Sequence, residues 1–193
     1  MVLIALALTA TLQLPASPSV PPAGFDCSGP EYRQFDFWVG EWDVVPNPKT
    51  TPPPTSPTPP REPALNVVTK TQGGCVILET WDDRHGGTGQ SFNIYDRVTT
   101  EWHQIWVSNT GGLHFYRGGL RDGRMVYLGE VPLGPAMRVQ GRRTVRLSFE
   151  PLGPDTVRQF SETLNADGTW SVNYDLIYTR RRRPGSGPNA QGR

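Results

Sequence analysis

Long apolar runs, charge of one sign, histidine and cysteine are all scarce in this chain, and each scarcity removes a class of protein. The one uncharged apolar run, Met1 to Leu14 (MVLIALALTATLQL), is too short to span a bilayer, so no membrane span is expected. With 19 basic and 18 acidic residues the net charge is +1, which leaves no basic domain for nucleic acid. The 3 histidines, His85, His103 and His114, show no metal-ligand spacing and no H-E-x-x-H, so no metal is expected. There is no G-x-S-x-G, no C-x-x-C and no phosphate-cradling glycine loop, and no cofactor is implied. No internal repeat occurs, which argues against a propeller or solenoid.

What is present divides the chain into three parts. Residues 1–23 read as a signal-like segment: the apolar run leads into small residues and proline near Ala16 and Ala23, although a positive n-region is missing. Export to the periplasm or outside the cell is the expected localisation. Residues 24–183 read as one domain, long enough to bury a core without a disulfide scaffold. Residues 184–193 (PGSGPNAQGR) are disordered by composition. Within the domain, residues 46–63 (PNPKTTPPPTSPTPPREP) are half proline and read as a solvated loop insertion joining the first two strands. The only cysteines, Cys27 and Cys75, form an even pair in a chain expected to leave the cytosol, which favours a disulfide.

Aromatics at Tyr32, Phe35 and Trp38 are spaced by three, which suits a short helical turn. After Gly74, short stretches of alternating apolar and polar residues are separated by Gly, Asp and Asn turns. Candidate strands are Trp42–Val45, Val67–Thr71, Val76–Trp81, Ser91–Asp96, Glu101–Ser108, Leu113–Leu120, Arg124–Glu130, Arg142–Glu150, Thr156–Leu164 and Thr169–Arg180. Hairpin links and the absence of a long helix predict an all-β fold, an antiparallel up-and-down barrel of about eight to ten strands with a short N-terminal helical turn. A twisted open sandwich is the alternative.

The segment FDFWVGEWDV (Phe35 to Val44) resembles the G-x-W opening of the lipocalin-like, or calycin, barrels. Together with GGCVILETW, SFNIYDRVTTEWHQIWV and a last strand from Trp170 to Arg180, it is similar to a family of exported bacterial domains of unknown function with a lipocalin-like fold. The resemblance covers residues 27–182, apart from the proline insertion. It implies that Trp42 closes one end of the barrel and that an Arg from the last strand, Arg180, Arg181 or Arg182, packs on its ring. A related barrel family holds haem through a His near its C-terminus, and no His follows His114 here.

Sorting strand residues by parity gives two faces. One is aliphatic: Val76, Leu78, Phe92, Ile94, Ile105, Val107, Val126, Leu128, Val145, Leu147, Phe149, Phe160, Val172 and Leu176. The other carries neutral amides, hydroxyls and aromatics, including Ser91, Thr144, Ser148, Gln159, Ser161, Asn173 and Asp175. The ordinary rule makes the aliphatic face the core and the other solvated. Amides among aromatic rings are also what a ligand-holding interior uses, so the second face is equally a candidate pocket lining. Its candidate ligand-binding residues are Glu79, Asn93, Gln104 and Arg146 as polar groups, with Trp81, Tyr95, Trp102 and Trp106 as walls; Glu79 would orient a donor or pair with Arg146.

The first functional reading is an exported barrel that binds a small, partly apolar molecule non-covalently. The alternatives are a lyase, isomerase or hydrolase with Glu79 or His103 as base, and an envelope or interaction domain without a ligand. No motif identifies a catalytic residue, and scattered carboxylates alone do not make an enzyme. The oligomeric state is not encoded in any pattern found.

Overall fold

A backbone that alternates every second residue and turns at Gly, Asp and Asn can satisfy its hydrogen bonds only against neighbouring strands, and here it does so all the way round. The computed structural model describes residues 26–51, 61–133 and 141–181. The signal-like residues 1–23, the tail 184–193 and residues 52–60 of the proline-rich insertion lie outside the described residues. Ten strands follow in order: β1 (Gly40–Pro46), β2 (Ala64–Thr71), β3 (Val76–Asp82), β4 (Thr88–Asp96), β5 (Glu101–Ser108), β6 (Leu113–Arg121), β7 (Arg124–Pro132), β8 (Arg142–Gly153), β9 (Thr156–Leu164) and β10 (Trp170–Arg180). Each pairs antiparallel with its sequence neighbour, and β1 pairs with β10 to close the barrel. The fold is therefore the closed up-and-down form, not the open sandwich. The β6–β7 hairpin turns through Asp122 and Gly123, both at positive φ (50° and 76°), the backbone that a tight two-residue turn requires. No helix among the described residues is long and apolar enough to cross a membrane.

One end of the barrel is plugged by the chain that precedes β1. Two 3-10 turns, Pro30–Arg33 and Asp36–Trp38, deliver Phe35 and Trp38 into the interior, where both are fully buried. Phe35 stacks on Trp38 (centroids 4.8 Å apart), and Phe149 of β8 packs on both at 5.0 and 4.6 Å. Trp42 Nε1 donates to the Trp38 carbonyl at 2.9 Å. Lys70 of β2 donates to the Tyr32 carbonyl (3.2 Å) and pairs with Asp36 (2.5 Å), tying the turns to the barrel wall. The Cys27–Cys75 disulfide, with Cα atoms 5.0 Å apart, ties the same segment to the connection between β2 and β3.

The seam between β1 and β10 is sealed at this end. The Arg180 guanidinium lies over the Trp42 ring, 4.2 Å from its centroid, and Arg180 Nη1 donates to the Val39 carbonyl at 3.0 Å. Gly40 has φ +150°, and a Cβ there would collide with Arg180 Nη1, so the close approach requires glycine. Arg181 turns away to pair with Asp43 at 3.2 Å, and Arg182 lies outside the described residues.

The distribution of side chains reverses the ordinary rule on half of the barrel. On β3 to β5 the polar parity points inward: Glu79, Ser91, Asn93 and Gln104 are buried. The aliphatic parity of β4 to β7 points outward, leaving Phe92, Ile94, Ile105, Val107, Leu113, Phe115 and Leu128 exposed. On β8 the assignment is the opposite one, since Val145, Leu147 and Phe149 are buried inside. The aliphatic set is thus not one face. It divides between exterior and interior as the strands go round, and on β10 a register shift between Val172 and Tyr174 divides it again: Val172 is exposed while Leu176 packs against the core.

Candidate functional site

The interior has three levels: the aromatic plug, a polar layer above it, and a cavity at the far end. The polar layer is centred on Glu79, which is buried but borders the cavity above it. Asn66 Nδ2 donates to Glu79 Oε1 at 2.8 Å, and Ser91 Oγ donates to Glu79 Oε2 at 2.6 Å. The network continues through Asn93 Nδ2 to Ser91 Oγ (2.9 Å), Gln104 Nε2 to Asn93 Oδ1 (2.9 Å) and Tyr127 OH to Asn93 Oδ1 (3.3 Å). On the facing wall Tyr178 OH donates to Gln159 Oε1 and accepts from Asn66 Nδ2 at 3.4 Å. Asn66 Oδ1 is buried without a partner.

No cation among the described residues pairs with Glu79. Burial therefore governs its ionisation and pushes the carboxyl up to about 7, against the smaller opposing effect of hydrogen bonds from Ser91 and Asn66. Burial also raises the phenols of Tyr127 and Tyr178 well above the ordinary range, with the Glu79 charge adding to the effect, so both remain protonated donors.

Above this layer a cavity of about 350 Å³ opens at the end away from the plug. Glu79, Gln104 and Gln159 reach it from the polar layer; Trp81, Trp106, Tyr116, Val131, Val145, Leu147 and Leu176 supply apolar wall; His114, Arg143, Ser161, Asn173, Tyr174 and Tyr178 complete the lining. Glycines set two of the walls. A Cβ at Gly89 would strike the Trp106 ring, and one at Gly129 would strike the Tyr116 ring, so each ring occupies space that a side chain there would take. His114 is held below its usual range, first by burial and then by the charges of Arg143 and Arg142, and Tyr116 is pushed up to about 12 by burial.

The residues singled out from sequence fall into distinct places. Glu79, Trp81, Gln104 and Trp106 line the cavity. Asn93 lies in the polar network, reaching the cavity through Gln104. Trp102 and Tyr95 belong to the plugged end: Trp102 Nε1 donates to Gln34 Oε1 at 3.0 Å, and Tyr95 packs edge-on against Tyr32 and Trp102. Arg146 departs from the expectation. It is on the outer surface, paired with Glu162 at 2.8 Å and stacked over Trp170 at 4.2 Å, and makes no pair with Glu79. The reason is the inverted parity of β8, where Arg143 is the residue that turns inward.

Sequence reasoning missed Asn66, Tyr116, Arg143, Tyr174 and Tyr178. The proline-rich segment hid the start of β2, which begins at Ala64, and with it Asn66. Arg143 follows from the parity of Val145 and Leu147, once those are known to be interior. Compared with protein-family models and with curated proteins, the chain matches none.

Proposed function

We propose that this protein is an exported, lipocalin-like barrel that binds a small, partly apolar molecule non-covalently in the cavity at its open end. The observation that carries this reading is the inward direction of the amide-rich face. Burying Glu79, Asn66, Asn93 and Gln104 inside a barrel costs free energy unless each is hydrogen-bonded, and a barrel made only for stability would fill that space with hydrocarbon. Fixed donors and acceptors beneath aromatic walls, with space left above them, are the usual constitution of a small-molecule site. The disulfide supports an oxidising compartment.

The test is native mass spectrometry beside denaturing intact mass, on protein produced with export intact. Extra native mass that is lost on denaturation is the expected result, and its value gives the size of the bound molecule. A bare native mass, together with no saturable binding of aromatic or aliphatic probes at millimolar concentration, would refute the reading.

A second reading, turnover of the bound molecule, rests on the Glu79 carboxyl held near neutrality at the cavity wall, where it is suited to give or take a proton. Glu79→Gln separates the two. It weakens binding modestly under the first reading and abolishes turnover under the second.

A further inference from the structure

Resting on the binding reading, we infer that the ligand is an organic anion, a compact carboxylate with an aromatic or branched apolar body, whose charged end is taken by Arg143. Arg143 lines the cavity from the second residue of β8 and makes no ion pair with any described residue. All 18 acidic side chains of the chain lie among the described residues, so no Asp or Glu elsewhere in the chain remains to neutralise it. Its Nε is buried without a hydrogen-bond partner.

A guanidinium with a buried N–H left open is costly unless something accepts from it. Six arginines pair with a carboxylate among the described residues: Arg33 with Asp36, Arg84 with Glu62, Arg146 with Glu162, Arg158 with Asp175, Arg180 with Asp155 and Arg181 with Asp43. Arg143 is directed into the cavity instead. A planar carboxylate matches its fork of donors, and the partly enclosed site strengthens the pairing relative to water.

The remaining lining fits the same ligand. His114 shares this end with Arg143, and Glu79 is the only acidic residue on the cavity lining, so nothing at the mouth repels an anion. Trp81, Trp106 and Tyr116 provide flat apolar surface for the body, and Gln104 and Gln159 offer both donors and acceptors to a polar group at its far end. At the roughly 30 Å³ that a water occupies in the liquid, the volume accommodates about a dozen non-hydrogen atoms. That suits a small aryl-alkanoic acid held within the cavity.

The experiment is calorimetric titration of the full exported protein with 3-phenylpropanoate, its neutral counterpart 3-phenylpropan-1-ol and the cation 3-phenylpropylamine. The acid is expected to bind at least tenfold tighter than the alcohol, and the amine not to bind. Arg143→Gln is expected to bring acid and alcohol to the same affinity, Arg143→Lys to retain part of the difference, and Arg146→Gln, outside the barrel, to leave it intact. Near-UV circular dichroism verifies that each variant is folded, and the three-probe comparison in the unaltered protein does not depend on any variant. Acid and alcohol binding equally to the unaltered protein, or a preference for acid that survives in Arg143→Gln, would overturn the assignment of Arg143 and leave the binding reading standing. No binding of any probe, with a bare native mass, would overturn both.

Discussion

The guanidinium of Arg180 covers the ring of Trp42 at 4.2 Å, and this contact joins the last strand to the first. It is made directly across the β1–β10 ladder, where the two residues are register partners. Closing a ten-stranded sheet needs its two edges to meet at one stagger only, and a cation held on a ring and on the Val39 carbonyl favours that stagger over a slipped one.

Removing this contact has a defined cost. Arg180→Ala is expected to lower stability by about 2 kcal/mol, the sum of a partly exposed cation–ring contact and a charged hydrogen bond. Arg180→Lys should recover less than half, because a point charge cannot cover the ring and reach the carbonyl together. Gly40→Ala should destabilise in both backgrounds, through its positive φ, but less in Arg180→Ala, where the collision with the guanidinium is gone. Urea unfolding of the unaltered protein and the four variants measures each term.

The Glu79 carboxyl makes stability depend on pH in a definite direction. Its ordinary value is 4.5 and its folded value about 7, so between these the folded state holds a proton that the unfolded chain has released. Unfolding free energy therefore falls as pH rises from 4.5 to 7 and is level above that, with a total loss of about 3 kcal/mol from this group. Glu79→Gln should flatten that part of the profile. Urea midpoints at pH 5, 6, 7 and 8 decide it, and parallel profiles for the two proteins would show that the carboxyl titrates normally.

Reduction of the disulfide should destabilise the barrel without changing its topology. The bridge closes a separation of 48 residues, for which chain entropy gives at most about 4 kcal/mol. Cys27→Ser with Cys75→Ser is expected to lose up to that amount in urea, while far-UV circular dichroism remains that of a β-sheet protein. Denaturing mass before and after reductant checks the bond itself.

Two phenylalanines of the same chemistry should behave in opposite ways. Phe149 is fully buried against Phe35 and Trp38, so Phe149→Ala is expected to cost about 3 to 5 kcal/mol. Phe115 is 53% exposed on the outer face, and Phe115→Ala should cost less than about 1 kcal/mol. Equal losses would contradict the side-chain directions on β6 and β8.

Much of the architecture was legible before any coordinates. Strand alternation, hairpin links at Gly, Asp and Asn, the aromatic turn before β1 and the pairing of Cys27 with Cys75 are local or composition-level signals, and a sequence records those directly. Arg180, expected on Trp42 together with Arg181 or Arg182 as candidates, is the one found on the ring. Glu79, Trp81, Gln104 and Trp106 could be grouped because residues of one parity on paired strands stay together whichever way the face points.

By itself, then, the sequence determined the strands, their hairpin order and the existence of two unlike faces, because each depends on residues near one another in the chain. The direction in which those faces point was decided only by closure. A period of two is symmetric between inside and outside, and hydrophobicity misleads where the interior must hold a polar layer. The inversion on β8 that turns Arg143 inward and Arg146 outward, and the register shift on β10 after Val172, have no local signature. They follow from ten strands meeting at one stagger, a condition on the whole barrel that no single segment carries.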